Sequence, residues 1–151
     1  MLLQWLPWEC GQTFGELCES YIKCVESKFI NASVVLDGYE GGPNTKDNAH
    51  GRRNTSDVGI EVKFIESTKF RGKKNTFLIN RNNKQAFINL LSHKLNIAGI
   101  QTSHAIGDAD LLIVLTAVRC SMSRHTVLVR DDTDLLVLLC IAIVHAYLLS
   151  S

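Results

Sequence analysis

His125-Thr-Val-Leu-Val-Arg-Asp-Asp-Thr-Asp-Leu-Leu-Val-Leu-Leu139 is the stretch on which the fold turns. Thr126 to Val129 is β-branched or apolar at every position, the composition of a strand buried on both faces of a parallel sheet. Three carboxylates follow, Asp131, Asp132 and Asp134, and an apolar, helix-like run opens at Leu135. That order puts the acids at the carboxyl end of a strand, where open α/β sheets bind their ligands. Capping of the following helix accounts for one or two of them, at about 0.3–1 kcal/mol each. Three acids within four positions call for partners elsewhere in the chain.

Upstream, Leu111 to about Cys120 reads as an apolar helix, and Ile100 to Ile106 as a strand that ends at Gly107-Asp108-Ala109-Asp110. Asn82 to Ala98 has helical periodicity, with Ala86, Phe87, Leu90, Leu91, Leu95 and Ala98 on one face and Gly99 as the stop. In residues 57–80, Ile60 to Ile65 alternates like a short strand and Asn75 to Ile79 suggests another. Between them lie basic residues, so this part is expected to leave the main sheet. Gly38, Gly41, Gly42 and Pro43 break every periodicity before it, which makes 40–80 a loop and basic excursion. Asn31 to Asp37 reads as a buried strand that again ends in an acid. Thr13 opens a helix to about Lys28, with Glu16 completing a capping box and Phe14, Leu17, Cys18, Tyr21, Ile22 and Val25 at helical spacing. Met1 to Gly11 is a Trp-rich lead-in. After residue 30 the order is strand, excursion, helix, strand, helix, strand, helix. The expected fold is therefore α/β, a three-layer, mostly parallel central sheet flanked by helices, as a single domain over 1–151.

Composition narrows the function classes less than spacing does. In 151 residues, 16 Lys and Arg face 15 acids, so overall charge names no partner. Lys69, Arg71, Lys73, Lys74, Arg81 and Lys84 nevertheless crowd into one short stretch. Five cysteines (Cys10, Cys18, Cys24, Cys120, Cys140) without CxxC spacing favour reduced thiols over a disulfide scaffold or zinc site, and hence an intracellular protein, nuclear or cytoplasmic. Neither phosphate-binding glycine fingerprint, GxGxxG or GxxxxGK[ST], is present. His50, His93, His104, His125 and His145 form no spaced cluster. Leu135 to Leu149 is nearly all apolar but shorter than the roughly 18–20 residues of a membrane span. A buried helix is expected there, and no membrane partner.

Three strand ends thus carry carboxylates: Asp37; Asp108 with Asp110; Asp132 with Asp134. In a parallel sheet the carboxyl ends share one edge, so these acids converge. Crowded carboxylates repel one another unless a cation lies between them. Oxygen-only donors favour a hard ion, Mg²⁺ or Mn²⁺. Such a site suits metal-assisted hydrolysis of a phosphodiester, with nearby cations holding the phosphates.

The same residues carry a resemblance. Val34-Val-Leu-Asp-Gly38 followed by Lys46, Arg52 and Arg53 resembles the segment after the second strand of flap-endonuclease-type nucleases. Asp108-Ala-Asp110 is similar to their Glu-Ala-Glu helix start, and Asp131-Asp-Thr-Asp-Leu135 to their Glu-Asp-x-Asp strand end. The match spans roughly residues 32–139 and implies a PIN-like domain, a divalent-metal-dependent nuclease acting on DNA or RNA. It implies that Asp37, Asp108, Asp110, Asp132 and Asp134 hold metal or metal-bound water, and that Lys46, Arg52 and Arg53 contact phosphate, with Lys73 and Lys74 added from the basic excursion. The family has another metal-binding Asp at the end of a first strand before the first helix; Met1 to Gly11 contains no Asp. That departure, and the abrupt apolar end, point to a PIN-like domain incomplete at both ends. The competing reading is a catalytically inactive remnant that binds metal, nucleic acid or protein. A phosphoryl-accepting receiver domain also gathers aspartates at strand ends, but needs a lysine at a later strand end, and no Lys follows Lys94.

Overall fold

The computed structural model describes residues 2–38, 59–106, 109–129, 135, 138–140 and 142. Its centre is a pair of parallel strands, β1 (Ser33–Gly38) and β2 (Gln101–Ile106), in register from Ser33 opposite Gln101 to Gly38 opposite Ile106. The described fold is α/β. Helix α1 (Phe14–Lys28) precedes β1; α2 (Lys74–Ile79) and α3 (Arg81–Ile97) lead into β2; α4 (Ala109–Ser121) follows it. Both α3 and α4 pack on both strands.

Helix α1 forms where its local signals say it should. Thr13 Oγ1 accepts from the Glu16 N–H at 3.1 Å, and Glu16 Oε2 accepts from the Thr13 N–H at 2.7 Å, so two otherwise orphaned donors are satisfied reciprocally. The bonds that Glu16 Oε2 accepts from the Thr13 N–H and, at 3.0 Å, from the Thr13 hydroxyl hold the Glu16 carboxyl below its usual range. Phe14, Leu17, Cys18, Tyr21 and Val25 are buried along one stripe. The lead-in is a short 3₁₀ turn, Leu2–Gln4, and then a coil that sends Trp8 into the core. There the Trp8 ring centroid lies 4.5 Å from that of Phe87, 5.1 Å from Phe70 and 5.5 Å from Phe77. Trp8 Nε1 donates to Tyr21 Oη at 2.9 Å, and Tyr21 Oη donates to the Leu3 carbonyl at 2.8 Å, so each polar tip buried in this aromatic cluster is satisfied.

Three expectations need correction. Asn75 to Ile79 is not a strand but lies in α2, whose single turn and a half drives Phe77 into the core. A segment of five residues with three apolar ones fits either period, and here the helix leads directly to the next. Ile60 to Ile65 is also no strand: the Val62 N–H donates to Asn83 Oδ1 (2.7 Å), the Ile60 carbonyl accepts from Asn83 Nδ2 (2.9 Å), and the Ile65 N–H donates to Thr68 Oγ1 (3.0 Å). With its backbone groups taken up by side chains, the segment has no need of a ladder, and Ile60 and Ile65 lie exposed. Finally, residues 125–129 pair with no described strand, and Val127 is 73% exposed. A strand buried on both faces requires a neighbour at its edge, and none lies beside this one among the described residues.

The buried face of α3 differs from the expected one as well. Phe87, Leu91 and Leu95 are buried as their spacing predicts, but Ala86 and Ala98 are exposed, and Asn83, Ile88 and Ser92 take the inner positions. Asn80 caps this helix through the Asn83 N–H at 3.1 Å, and its Nδ2 donates to the Gly59 carbonyl at 2.6 Å. Gly59 is required here: a Cβ would come 2.8 Å from the Thr76 carbonyl oxygen. At the other end Ala98 is the C-cap and Gly99, at φ 83°, turns the chain into β2.

Candidate functional site

The carboxyl ends of β1 and β2 define the edge at which the acids are expected to meet. Parallel pairing puts Asp37, backbone-paired with Ala105, one residue from the end of both β1 and β2. Three residues beyond β2, α4 begins, with Asp110 half-buried in its first turn, where the helix dipole favours a carboxylate. The backbone therefore brings the Asp37 position and the Asp110 turn to the same edge. Asp108, Asp132 and Asp134 lie outside the described residues, as do Lys46, Arg52 and Arg53. Among the described residues no group of three or more His, Cys, Asp or Glu could hold a metal ion.

The two basic candidates that are described play different parts. Lys73 is exposed at the N-cap of α2. Lys74 is half-buried, and its Nζ donates to the Leu6 carbonyl at 2.8 Å, tying α2 to the lead-in. Desolvation lowers the Lys74 pKa. Its cation is thus engaged inside the fold, whereas Lys69, Arg71, Lys73 and Arg81 of that stretch are exposed.

A polar cluster at the α3–β2 seam escaped the sequence reading. Ser92 Oγ lies 2.6 Å from Thr102 Oγ1 and 2.9 Å from His104 Nε2; Asn96 Nδ2 donates to Thr102 Oγ1 at 2.8 Å, and the Thr102 N–H donates to Asn96 Oδ1 at 3.2 Å. A serine hydroxyl within reach of an imidazole is the pairing of an activated nucleophile. Ser92 is only 5% exposed, however, so the cluster straps helix to sheet instead of meeting a substrate. The signal for it was present: Thr102 and His104 alternate on one face of β2, opposite a serine on the apolar face of α3.

The cysteines are all unpaired with one another. Burial pushes the Cys18 thiol up to about 12, and burial likewise raises Tyr21 to about 12. Both are therefore neutral, inert members of the core at physiological pH. No described helix is long and apolar enough to cross a membrane.

No family model, no curated protein and no solved structure matches this chain.

Proposed function

We propose that this chain is a PIN-like domain of the flap-endonuclease type, its central sheet flanked by helices in three layers, which binds a divalent cation at the carboxyl edge of the sheet and acts on nucleic acid. The observation that carries the reading is the parallel, in-register pairing of β1 and β2, because Asp37 lies near the carboxyl end of β1 and Asp110 in the helix turn that follows β2. Asp108, Asp132 and Asp134 would complete an oxygen-only donor set, which suits Mg²⁺ or Mn²⁺. The bound ion would supply Lewis-acid chemistry toward a phosphodiester. The chain's own carboxylates would orient the attacking water and accept its proton, while Lys46, Arg52, Arg53 and Lys73 hold the phosphate backbone.

A second reading is favoured by one observation. The segment before α1 folds as a 3₁₀ turn and coil without an aspartate, whereas the family sets a metal-binding Asp at the end of a strand there. On this reading the domain binds metal or nucleic acid but does not cleave.

Mg²⁺ and Mn²⁺ titrations, read by thermal melting and by incubation with branched DNA and single-stranded RNA, separate the two. Metal at about ten times its dissociation constant adds about 1.4 kcal/mol, a rise of roughly 3–6 °C in Tm. Stabilisation with cleavage, both lost in Asp110→Asn and Asp132→Ala, supports the nuclease. Stabilisation without cleavage supports the inactive form. A melting temperature that ignores millimolar metal would reduce the acids to helix caps.

A further inference from the structure

A cavity of about 960 Å³ is lined by β1 and by residues 124–129. Residues 31–36 all line it in unbroken succession, so it meets side chains from both faces of β1 and lies along that strand's edge. The other edge of β1 belongs to β2, none of whose residues is among the described lining. Residues 124–129 line it as well, again in unbroken succession. One stripe of α4, Ala109, Ile113, Thr116, Ala117 and Cys120, covers the space, and Leu2, Leu3 and Trp5 contribute from the lead-in.

The dimensions are those of one missing strand. Six residues at about 3.3 Å each, a strand spacing of about 4.8 Å and a layer distance of about 10 Å enclose about 950 Å³. The β1 edge offers backbone donors and acceptors that β2 does not use, which is a template for strand addition. Thr116 Oγ1 is buried at this lining without a hydrogen-bond partner among the described residues, so a polar group is already turned away from water there. The charged side chains among the described lining residues are Lys28, Lys84 and Arg124, all cationic.

We propose that this slot binds an extended segment of another protein, about six residues long, that adds to β1 as a strand. Cover on both sides calls for β-branched or apolar residues along that segment. The cations call for an acidic residue in that segment. A second copy of the chain pairing edge to edge does not fit, because residues 124–129 also line the slot, whose volume admits one strand but not a covered sheet.

The probe is the peptide Asp-Asp-Ile-Val-Val-Thr-Val, added to the full chain, with a Lys-Lys version and a version carrying proline at alternate positions as controls. Amide exchange should slow at residues 32–36 on adding the acidic peptide. Alkylation of half-buried Cys120, which lines the slot, should slow by about tenfold, while exposed Cys10 reacts as before. The Lys-Lys peptide should bind about tenfold more weakly and the proline peptide not at all. Ala117→Phe, which fills the slot, should abolish the protection with the melting temperature kept; if that variant misfolds, exchange and alkylation on the unaltered chain still decide. Two results overturn the proposal. One is protection of 32–36 together with 126–129 in the free chain, meaning the protein's own segment closes the slot. The other is no saturable protection at millimolar peptide.

Discussion

Asn83 is the residue on which the described part of the basic excursion depends. It is 1% exposed, and it bonds the Ile60 carbonyl, the Val62 N–H and, at 3.3 Å, the Phe77 carbonyl, so one amide fixes both the 59–62 segment and the end of α2. Asn83→Ala leaves these backbone groups without partners in a dry site and should cost about 2–3 kcal/mol in urea unfolding. Asn83→Asp keeps the acceptor for Val62 but loses the donor and buries a charge, so it should be at least as damaging. Tyr21→Phe removes the hydroxyl that takes the Trp8 indole proton and donates to Leu3. It should lower stability by about 1–2 kcal/mol, with near-ultraviolet circular dichroism registering the altered Trp8 environment. These residues were hard to find from sequence because hydrophobic spacing assigns the inside of a helix to apolar residues. In α3 it chose Ala86 and Ala98, while the inner positions went to asparagine and serine whose partners are distant in sequence.

Elements whose cause is local were legible; those that depend on a neighbour were not. The Thr13–Glu16 box, the stripe from Phe14 to Val25 and the Gly99 turn each act within a few residues, and α1 and α3 follow them closely. Thr13→Ala should accordingly cost about 1 kcal/mol and fray the first turn of α1, visible as faster amide exchange there. Residues 126–129 have the composition of a buried strand, yet composition does not say whether another strand stands beside it, and among the described residues β1 pairs with β2 alone. The strand pairing on which the expected acidic edge depends was legible in the same partial sense. Strand ends at Asp37 and before Asp110 follow from local patterns, and their meeting follows from parallel pairing, which βαβ handedness predicts.

At the scale of the molecule, the core is held by aromatic contacts and by two titratable groups kept neutral, which sets its behaviour in alkali. The folded-state pKa values of Cys18 and Tyr21 are raised, each to about 12. The unfolded chain gives up these protons first, so their contribution is complete below about pH 9 for Cys18 and pH 10 for Tyr21 and is lost as pH climbs toward 12. Unfolding midpoints in urea should hold steady from pH 7 to 9 and then fall, and Cys18→Ala should flatten the part of the fall that begins near pH 9. Iodoacetamide should label Cys10 readily and Cys18 only as the protein unfolds. The two tryptophans occupy opposite situations: Trp8 is enclosed by phenylalanines, while Trp5 sits under the Lys28 ammonium, 5.1 Å from its ring centroid, at the slot. The chain therefore carries two intrinsic fluorophores with separate assignments. Blue-shifted emission from Trp8 reports whether the core is intact, and iodide quenching of Trp5 reports whether the edge of β1 is covered, so that occupancy and unfolding can be followed as distinct optical signals in one cuvette.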